Sequence, residues 1–234
     1  MKTEEKVCVV TGGNRGIGFE ICRQLASRGA RVVLTARSPE AGQEAVAKLS
    51  AQKLSAQFHP LDITASASVE ELQKFVESSF GQLDVLINNA GIFLRENGSG
   101  LETDLSVVRK TLETNTLAPL HLSQVLAALL KRSGGGRIVN MSSGLGQLSD
   151  MEGGYAAYRI SKTALNAVTR ILAAELRGSV AVNSMSPGWV RTDMGGASAE
   201  RDVSQGADTA VWLALDAPQD LTGQLLHDRK VVPW

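Results

Sequence analysis

The sequence predicts an α/β fold: a doubly wound parallel sheet, in a single domain, with helices on both faces. Apolar runs alternate with helical patterns from one end of the chain to the other, as is typical of parallel strands joined by right-handed crossover helices. The runs are nearly continuous in apolar residues, as expected of strands buried on both sides. No long linker or repeat divides the 234 residues, so we expect one domain over residues 1–234.

The first strand is predicted over Lys6–Thr11, a run rich in Val that leads directly into a cluster of glycines. Each further strand is a short apolar run next to turn residues or a helical pattern. The other predicted strands are Arg31–Ala36, Gln57–Asp62, Leu83–Asn88, Arg137–Met141, Val180–Met185 and Gln224–His227.

The first helix is predicted over Gly16–Arg28, because Ile17, Ile21 and Leu25 repeat at the spacing of one helix face. A long helical pattern from about Ser106 to Lys131 is ended by consecutive glycines. The other predicted helices are Ala41–Leu49, Val69–Phe80, about Ala156 to Arg177, and Asp202–Leu215.

The composition argues against several classes of function. The formal net charge is +0, so no basic stripe favours nucleic-acid binding. No apolar run reaches the roughly 18 residues of a membrane span, and the polar segment Met1–Lys6 gives no reason to expect a signal peptide. The scattered histidines are not at ligand spacing, which predicts no metal site. Cys8 and Cys22 are too few for a disulfide framework, so we expect buried thiols in a cytoplasmic protein.

A glycine-rich turn joins the first strand to the first helix. Gly12 permits a sharp turn, Gly16 lets a pyrophosphate approach the backbone, and Gly18 lets the helix pack on the strand. The helix N-terminus adds unpaired N–H groups and a partial positive charge. This context predicts a Rossmann-type dinucleotide site. The residues expected to contact the cofactor here are Gly12, Asn14, Arg15, Gly16, Ile17 and Gly18.

The end of the second strand indicates which dinucleotide binds. An acidic residue at this place binds the ribose 2′-hydroxyl of NAD, but the strand here ends in Thr35-Ala36-Arg37. A guanidinium pairs with a 2′-phosphate instead, and Arg15 in the glycine turn is a second cation that can face the same group. The two arginines together predict NADPH/NADP+ as the cofactor.

Tyr158 and Lys162 are spaced to lie on one face at the start of a predicted helix. Hydride arriving at a carbonyl carbon creates an alkoxide, which needs a proton donor. A free tyrosine has a pKa of about 10, and a neighbouring ammonium lowers that pKa by stabilising the phenolate. The pair therefore predicts an acid–base tyrosine supported by a lysine. Tyr155 is paired at the same spacing with Arg159, which exchanges no protons, so it is interpreted as a pocket wall or packing residue.

The chain resembles the short-chain dehydrogenase/reductase family over nearly its whole length, with five family motifs in the expected order. These are the glycine turn Thr11–Gly18, Asn88–Gly91, Ser142-Ser143, the Tyr158–Lys162 pair and Pro187–Thr192. Within the family it is most similar to the carbonyl reductase branch. The stretches that carry this likeness are Val33–Arg37, Leu83–Asn89, Pro187–Met194 and Arg229–Trp234.

The resemblance implies the rest of the catalytic group. Ser143 would position the substrate carbonyl, an oxyanion-type role, and Ser142 would be structural. Asn115 would bind a water that relays protons to the lysine. Asn115 is also a poor helix former inside a predicted helix, and such a local penalty often marks function. Ser143 precedes Tyr158 by slightly more residues than is usual in the family, which bears on the shape of the pocket.

The resemblance also implies the remaining cofactor contacts. The residue after the third strand would face adenine, the segment after the fourth strand would lie along the adenosine ribose, and the turn after the sixth strand would bind the nicotinamide carboxamide. The tyrosine–lysine pair would hold the nicotinamide ribose. The residues concerned are Asp62, Ile63, Asn89, Ala90, Gly91, Tyr158, Lys162, Pro187, Gly188, Val190 and Thr192.

We therefore expect an NADPH-dependent oxidoreductase that transfers hydride to an aldehyde or ketone. Alternatives are an NADP-dependent dehydrogenase of a secondary alcohol, a 3-oxoacyl thioester reductase, and a redox sensor that binds NADP(H) without turnover. The segments expected to shape the substrate pocket, around Leu94, after Gly144 and near Gly195, carry no recognisable polar anchor, which favours a hydrophobic carbonyl compound. The small and polar segment Gly195–Arg201 is predicted to be a mobile loop. No long insertion precedes Tyr158, so a homodimer and a monomer both stay open.

Overall fold

A computed structural model describes residues 5–94 and 99–234. Residues 1–4, which belong to the polar segment expected not to be a signal peptide, lie outside the described residues. The strands are β1 Val7–Val10, β2 Arg31–Ala36, β3 Ala56–Pro60, β4 Val85–Asn88, β5 Gly136–Met141, β6 Val180–Met185, β7 Leu225–His227 and β8 Lys230–Val232.

The strands form one sheet in the order β3-β2-β1-β4-β5-β6-β7-β8. Neighbours pair in parallel from β3 through β7, and β8 is antiparallel to β7. Because β1 pairs with both β2 and β4, the chain order reverses there. In sheets of this kind, ligands bind in the crevice outside the carboxyl ends of the strands at such a reversal.

Helices cover both faces of the sheet, which confirms the predicted doubly wound, single-domain fold. They are α1 Gly16–Ser27, α2 Pro39–Ala51, α3 Ser66–Phe80, α4 Leu105–Leu112, α5 Ala118–Arg132, α6 Ala156–Glu175 and α7 Val203–Leu215. None of these helices, within the described ranges, is long and apolar enough to cross a membrane.

The core consists of two clusters, one on each face of the sheet. On one face α3, α5 and α6 pack through residues such as Leu72, Leu126 and Leu172. On the other face α1, α2 and α7 pack through residues such as Ile21 and Leu49. Each fully buried side chain of this size contributes about 1.5–3 kcal/mol, so both layers of helices are firmly held against the strands whose ends form the site.

The predicted long helix Ser106–Lys131 is interrupted. A π-helical turn, Glu113–Leu117, separates α4 from α5. Apolar spacing did not indicate it, because a single π turn changes the helical repeat only locally. Such turns often occur at functional sites, and Asn115 lies at the centre of this one.

The antiparallel strand β8 was not predicted. It is three residues long and mostly exposed at the edge of the sheet, so it carries no buried apolar run. The turn before it places Asp228 and Arg229 at φ of 47° and 61°, a conformation usually indicated by Asn-Gly or Asp-Gly. The usual hairpin signal is therefore missing from the sequence.

Candidate active site

A cleft of about 690 Å³ lies at the carboxyl ends of the strands where the chain order reverses, beside α6. Its volume is in the usual range for small-molecule and cofactor sites. Most of the cofactor residues predicted from the sequence line it. They are Gly12, Asn14, Arg15, Gly16, Ile17, Gly18, Arg37, Asp62, Ile63, Asn89, Ala90, Gly91, Tyr158, Lys162, Pro187 and Thr192.

The glycines of the turn after β1 are required by its geometry. Gly12 and Gly16 have φ of 63° and 55°, in the left-handed region that favours glycine. A Cβ at Gly18 would lie 2.2 Å from the carbonyl oxygen of Gly12, so only glycine lets α1 start this close to the turn. No side chain caps the N-terminus of α1 and no acidic residue lies in its first turn, which suits the binding of a phosphate.

Thr11 belongs to the site although the sequence reasoning did not single it out. Its buried hydroxyl oxygen accepts hydrogen bonds from the backbone N–H groups of Asn89 and Ala90, both at 2.9 Å. Asn89 donates its side-chain N–H to the carbonyl oxygens of Thr11 and Gly12 at 2.8 and 3.1 Å. These bonds tie the glycine turn to the segment after β4. The sequence feature that could have indicated this role is a threonine placed between a run of valines and Gly12.

Two arginines lie at the cleft, but in different surroundings. Arg37 is exposed at the end of β2. Hydrogen bonds from Thr64, with a smaller effect from the charge of Arg37, hold the pKa of Asp62 below its usual value. Arg15 forms an ion pair with Asp193 at 2.6 Å, and the two side chains are 73% and 77% exposed. Arg15, which the sequence predicts as the second cation for a 2′-phosphate, is thus paired with the carboxylate of Asp193 across the cleft.

Tyr158 and Lys162 both reach the cleft from α6. The Lys162 Nζ lies 5.5 Å from the centroid of the Tyr158 ring and donates a hydrogen bond to the carbonyl oxygen of Met141 at 2.7 Å. Burial raises the pKa of Tyr158 to about 12, opposed by a hydrogen bond with Ser143. Burial also lowers the pKa of Lys162 to about 8. The expected lowering of the Tyr158 pKa by the ammonium is therefore wrong for this structure, because loss of solvation dominates.

The two serines after β5 differ in their partners. Ser143 hydrogen-bonds the Tyr158 hydroxyl, and its oxygen accepts a hydrogen bond from the backbone N–H of Leu145 at 3.1 Å. The buried Ser142 donates instead to Oδ1 of Asn166 on α6, at 2.7 Å. The hydroxyl of Ser143 is thus the one beside the tyrosine.

Asn115 lies behind the cleft and fixes the chain after β4. Its Oδ1 accepts a hydrogen bond from the N–H of Ile92 at 2.8 Å, and its Nδ2 donates to the carbonyl oxygen of Ile92 at 2.9 Å. The same Nδ2 donates to the hydroxyl of Ser161 at 3.1 Å. A Cβ at Gly91 would lie 3.2 Å from Oδ1 of Asn115 and 3.7 Å from Nζ of Lys162. Only a glycine leaves this space between the two side chains open.

Some predicted residues lie outside the cleft lining. These are Asn115, Ser143, Gly188 and Val190. Gly188 has a φ of 75°, and a Cβ there would lie 2.6 Å from the Arg201 side chain. The buried Val190 packs toward Gly206 at the start of α7. Gly188 and Val190 thus hold the turn after β6 against its neighbours. Thr192, two residues after Val190, lies against the glycine turn, 3.4 Å from a Cβ built at Gly16.

The cleft has further lining residues to which the sequence alone assigned no contact with cofactor or substrate. They are Ala36, Leu61, Thr64, Ile92, Lys110, Glu113, Thr114, Met141, Ser142, Arg191, Asp193 and Met194. Several belong to α4, to the π-helical turn or to the loop after β6. The loop Gly195–Arg201, predicted to be mobile, is tied back by Arg191, whose side chain donates to the carbonyl oxygens of Ala199 and Glu200.

Known proteins match this chain along its length. The family model for short chain dehydrogenases matches residues 6–202. Carbonyl reductase (NADPH) 1 of Mus musculus is 36% identical with both chains covered completely, over 282 aligned positions. The mouse enzyme therefore contains segments that this 234-residue chain lacks. (+)-Neomenthol dehydrogenase of Arabidopsis thaliana is 34% identical over 97% of each chain.

A solved structure of a carbonyl reductase has the same fold as this chain. The NADPH-bound carbonyl reductase from chicken fatty liver superposes with a TM-score of 0.90 at 30% identity, covering 99% of this chain and 100% of that one. By its fold and by these matches, the chain belongs to the short chain dehydrogenase family of oxidoreductases.

Proposed function

We propose that this protein is an NADPH-dependent carbonyl reductase in which Tyr158 protonates the oxygen of an aldehyde or ketone. The observation that carries the proposal is the hydrogen bond between Tyr158 and Ser143, made beside the buried Lys162. Two hydroxyl groups that meet at one point can bind a carbonyl oxygen and then protonate it. The mouse and chicken carbonyl reductases, which are similar to this chain over their whole length, support the assignment.

NADPH/NADP+ is the cofactor we assign to the cleft. The turn after β1 presents backbone without side chains: a Cβ at Gly12 would lie 3.2 Å from Cα of Ala90. Such a turn suits a pyrophosphate. Arg37 and Arg15 would hold the 2′-phosphate. The other proposed contacts are Asn14, Gly16, Ile17, Gly18, Asp62, Ile63, Asn89, Gly91, Tyr158, Lys162, Pro187, Gly188, Val190 and Thr192. When bound, NADPH supplies a hydride to the carbonyl carbon.

The chain itself supplies the proton and the orientation. Ser143 donates a hydrogen bond to the carbonyl oxygen, and Tyr158 transfers its phenolic proton to that oxygen as the alcohol forms. The tyrosine is left as a phenolate, which the ammonium of Lys162 stabilises. Because burial lowers the pKa of Lys162 to about 8, the lysine is still mostly charged at neutral pH yet gives up a proton readily. Asn115 is assigned the water through which Lys162 is reprotonated.

A second candidate is the dehydrogenation of a secondary alcohol. (+)-Neomenthol dehydrogenase, 34% identical over 97% of each chain, favours it. The same groups would run in reverse, with the Tyr158 phenolate accepting the proton of the alcohol. A 3-oxoacyl thioester would need the same chemistry in a pocket of different shape.

One domain carries both the cofactor site and the substrate site, since the loops that follow β5 and β6 border the cleft. We assign a hydrophobic substrate, because the apolar residues Ile92 and Met194 line the cleft and Met194 is half exposed. Cys8 and Cys22 are free and buried, which supports a reducing, cytoplasmic location. A homodimer or a monomer fits this assignment, and sedimentation distinguishes them.

NADPH oxidation with a panel of aldehydes, quinones, cyclic ketones and acyl thioesters tests the proposal. We expect turnover with an aldehyde or ketone, and a loss of about 10²- to 10⁴-fold in Tyr158→Phe with NADPH binding retained. Arg37→Ser should weaken NADPH binding and leave NADH binding unchanged. A protein that binds NADPH but turns over no member of the panel would be a redox sensor, and the proposal would be wrong.

A further inference from the structure

Tyr155, the residue that precedes α6, departs from two preferences, one of backbone conformation and one of residue type at the N-cap. Tyr155 has φ of 52° and ψ of 40°, and its side chain makes no capping hydrogen bond. The left-handed region is unfavourable for a bulky residue, and the N-cap position favours Ser, Thr, Asp or Asn. Departures of this kind concentrate at functional sites. This one lies three residues before Tyr158.

The backbone at this position is held from two sides. Gly154 also has a positive φ, of 76°. The buried Arg159 donates its Nε–H to the carbonyl oxygen of Gly154 at 3.1 Å, and its backbone N–H donates to the carbonyl oxygen of Tyr155 at 2.9 Å. The direction of the Tyr155 side chain is therefore fixed by the turn and not by its own preference.

The ring of Tyr155 packs against Phe93, which packs against Tyr158. The ring centroids of Tyr155 and Phe93 are 5.3 Å apart. Those of Phe93 and Tyr158 are 4.8 Å apart, with the rings at 75° in an edge-to-face arrangement, a favoured geometry for aromatic pairs. Ile92, the residue before Phe93, is held at both backbone polar groups by Asn115. Phe93 thus stands between two tyrosines on a fixed backbone.

We propose that Phe93 is a positioning residue for Tyr158 and that the strained Tyr155 keeps Phe93 in place. This rests on the proposed function, in which Tyr158 is the acid. The edge-to-face contact restrains rotation of the Tyr158 side chain about its Cα–Cβ bond, so that its hydroxyl stays beside Ser143, and the same packing slows flips of the ring about its own axis. Tyr155 is 47% exposed, so burial of its ring does not explain why an aromatic residue occupies a left-handed N-cap. The contact of the ring with Phe93 explains it.

Kinetics of matched variants test the proposal. Phe93→Leu removes the ring but keeps most of its volume, and Tyr155→Asn removes the ring with a residue that tolerates the left-handed region. We expect each to lower kcat by about 10- to 100-fold, with KM and the NADPH dissociation constant changed by less than about twofold. Tyr155→Phe, which keeps the ring, should restore kcat relative to Tyr155→Asn. Phe80→Leu removes a ring from an aromatic pair remote from the cleft and is the control for a general loss of packing.

A second measurement does not depend on activity. Tyr155 and Tyr158 are the two tyrosines of the chain, so labelling with 3-fluorotyrosine gives fluorine signals from two residues, which Tyr158→Phe assigns. We expect the Tyr158 ring to exchange slowly between its two orientations in the wild type and faster in Phe93→Leu and Tyr155→Asn. Unchanged ring exchange, or faster exchange with unchanged kcat, would overturn the proposal. If the wild type reduces no carbonyl, the proposed function fails, and ring exchange still decides whether Phe93 restrains Tyr158.

Discussion

The ammonium nitrogen of Lys162 lies 5.5 Å from the ring centroid of Tyr158, one helical turn away on α6. Lys162 is buried and Tyr158 is partly buried, and loss of solvation opposes the charged form of each. A lysine held in this way costs folding free energy, because its charged form is preferred in water. Its presence is therefore better explained by the chemistry of the site than by stability.

Replacing Lys162 with Met is expected to increase the stability of the protein at neutral pH and to lower its activity. The folded pKa of Lys162 is about 8, against its ordinary value of 10.5. Between these values the unfolded chain binds more protons, so the contribution of Lys162 to stability rises with pH across that window. Below pH 8 the variant should be more stable by up to roughly 3 kcal/mol, less the lost hydrogen bond to Met141, and the advantage should shrink as the pH rises to 10.5.

Urea unfolding of both proteins at a series of pH values measures this difference, and turnover of the variant should fall strongly at every pH. Tyr158 is common to both proteins, so its own titration, raised by burial to a pKa of about 12, cancels in the comparison. If the free energies of unfolding of the two proteins changed with pH in the same way, the lowered pKa of Lys162 in the folded protein would be contradicted.

The adjacent serines after β5 form a matched pair for mutation. Ser143→Ala removes the hydroxyl beside Tyr158 and should lower kcat about 100-fold, as loss of one oxyanion donor does, with little change in stability. Ser142→Ala removes the donor to Asn166 and should instead lower the free energy of unfolding by about 1 kcal/mol. Steady-state kinetics and urea unfolding of both variants distinguish the roles, and the reverse pattern would exchange them.

Local patterns predicted most of the fold and the centre of the site. The spacing of Tyr158 and Lys162 fixes them on one helix face whatever surrounds them, and the turn Gly12–Gly18 follows directly from a buried strand. The doubly wound sheet followed from the order of apolar runs. These features depend on neighbours in the chain, which a sequence shows directly.

Contacts between distant segments could not be predicted in this way. Thr11 and Asn89 are 78 residues apart, and Arg15 and Asp193 are 178 apart. No local pattern relates the members of either pair. The pKa of Tyr158 was misjudged for a similar reason, since the ammonium was visible in the sequence while the burial that outweighs it depends on the tertiary structure.

Thr11→Val tests the link between the two walls of the cleft. Valine has nearly the same shape but leaves the N–H groups of Asn89 and Ala90 without the hydroxyl oxygen that accepts from both. We expect a loss of about 2 kcal/mol or more in the free energy of unfolding, together with weaker NADPH binding because the glycine turn is no longer held. Thr11→Ser keeps the hydroxyl and is the control. Normal stability of the valine variant would show that other bonds hold the turn.

Asp193→Asn tests whether the ion pair with Arg15 limits cofactor affinity. In the structure Arg15 is paired with Asp193 at 2.6 Å, so binding a 2′-phosphate through Arg15 requires that pair to be shared or broken. An exposed pair of this kind is worth about 0–1 kcal/mol, so the variant should bind NADPH up to about fivefold more tightly, less so at high salt. NADH lacks the 2′-phosphate and should bind as before. Fluorescence titration with both cofactors measures this, and Arg15→Ala should abolish the gain. Equal gains for NADPH and NADH would mean that Asp193 acts through its charge on the whole cleft and not through Arg15.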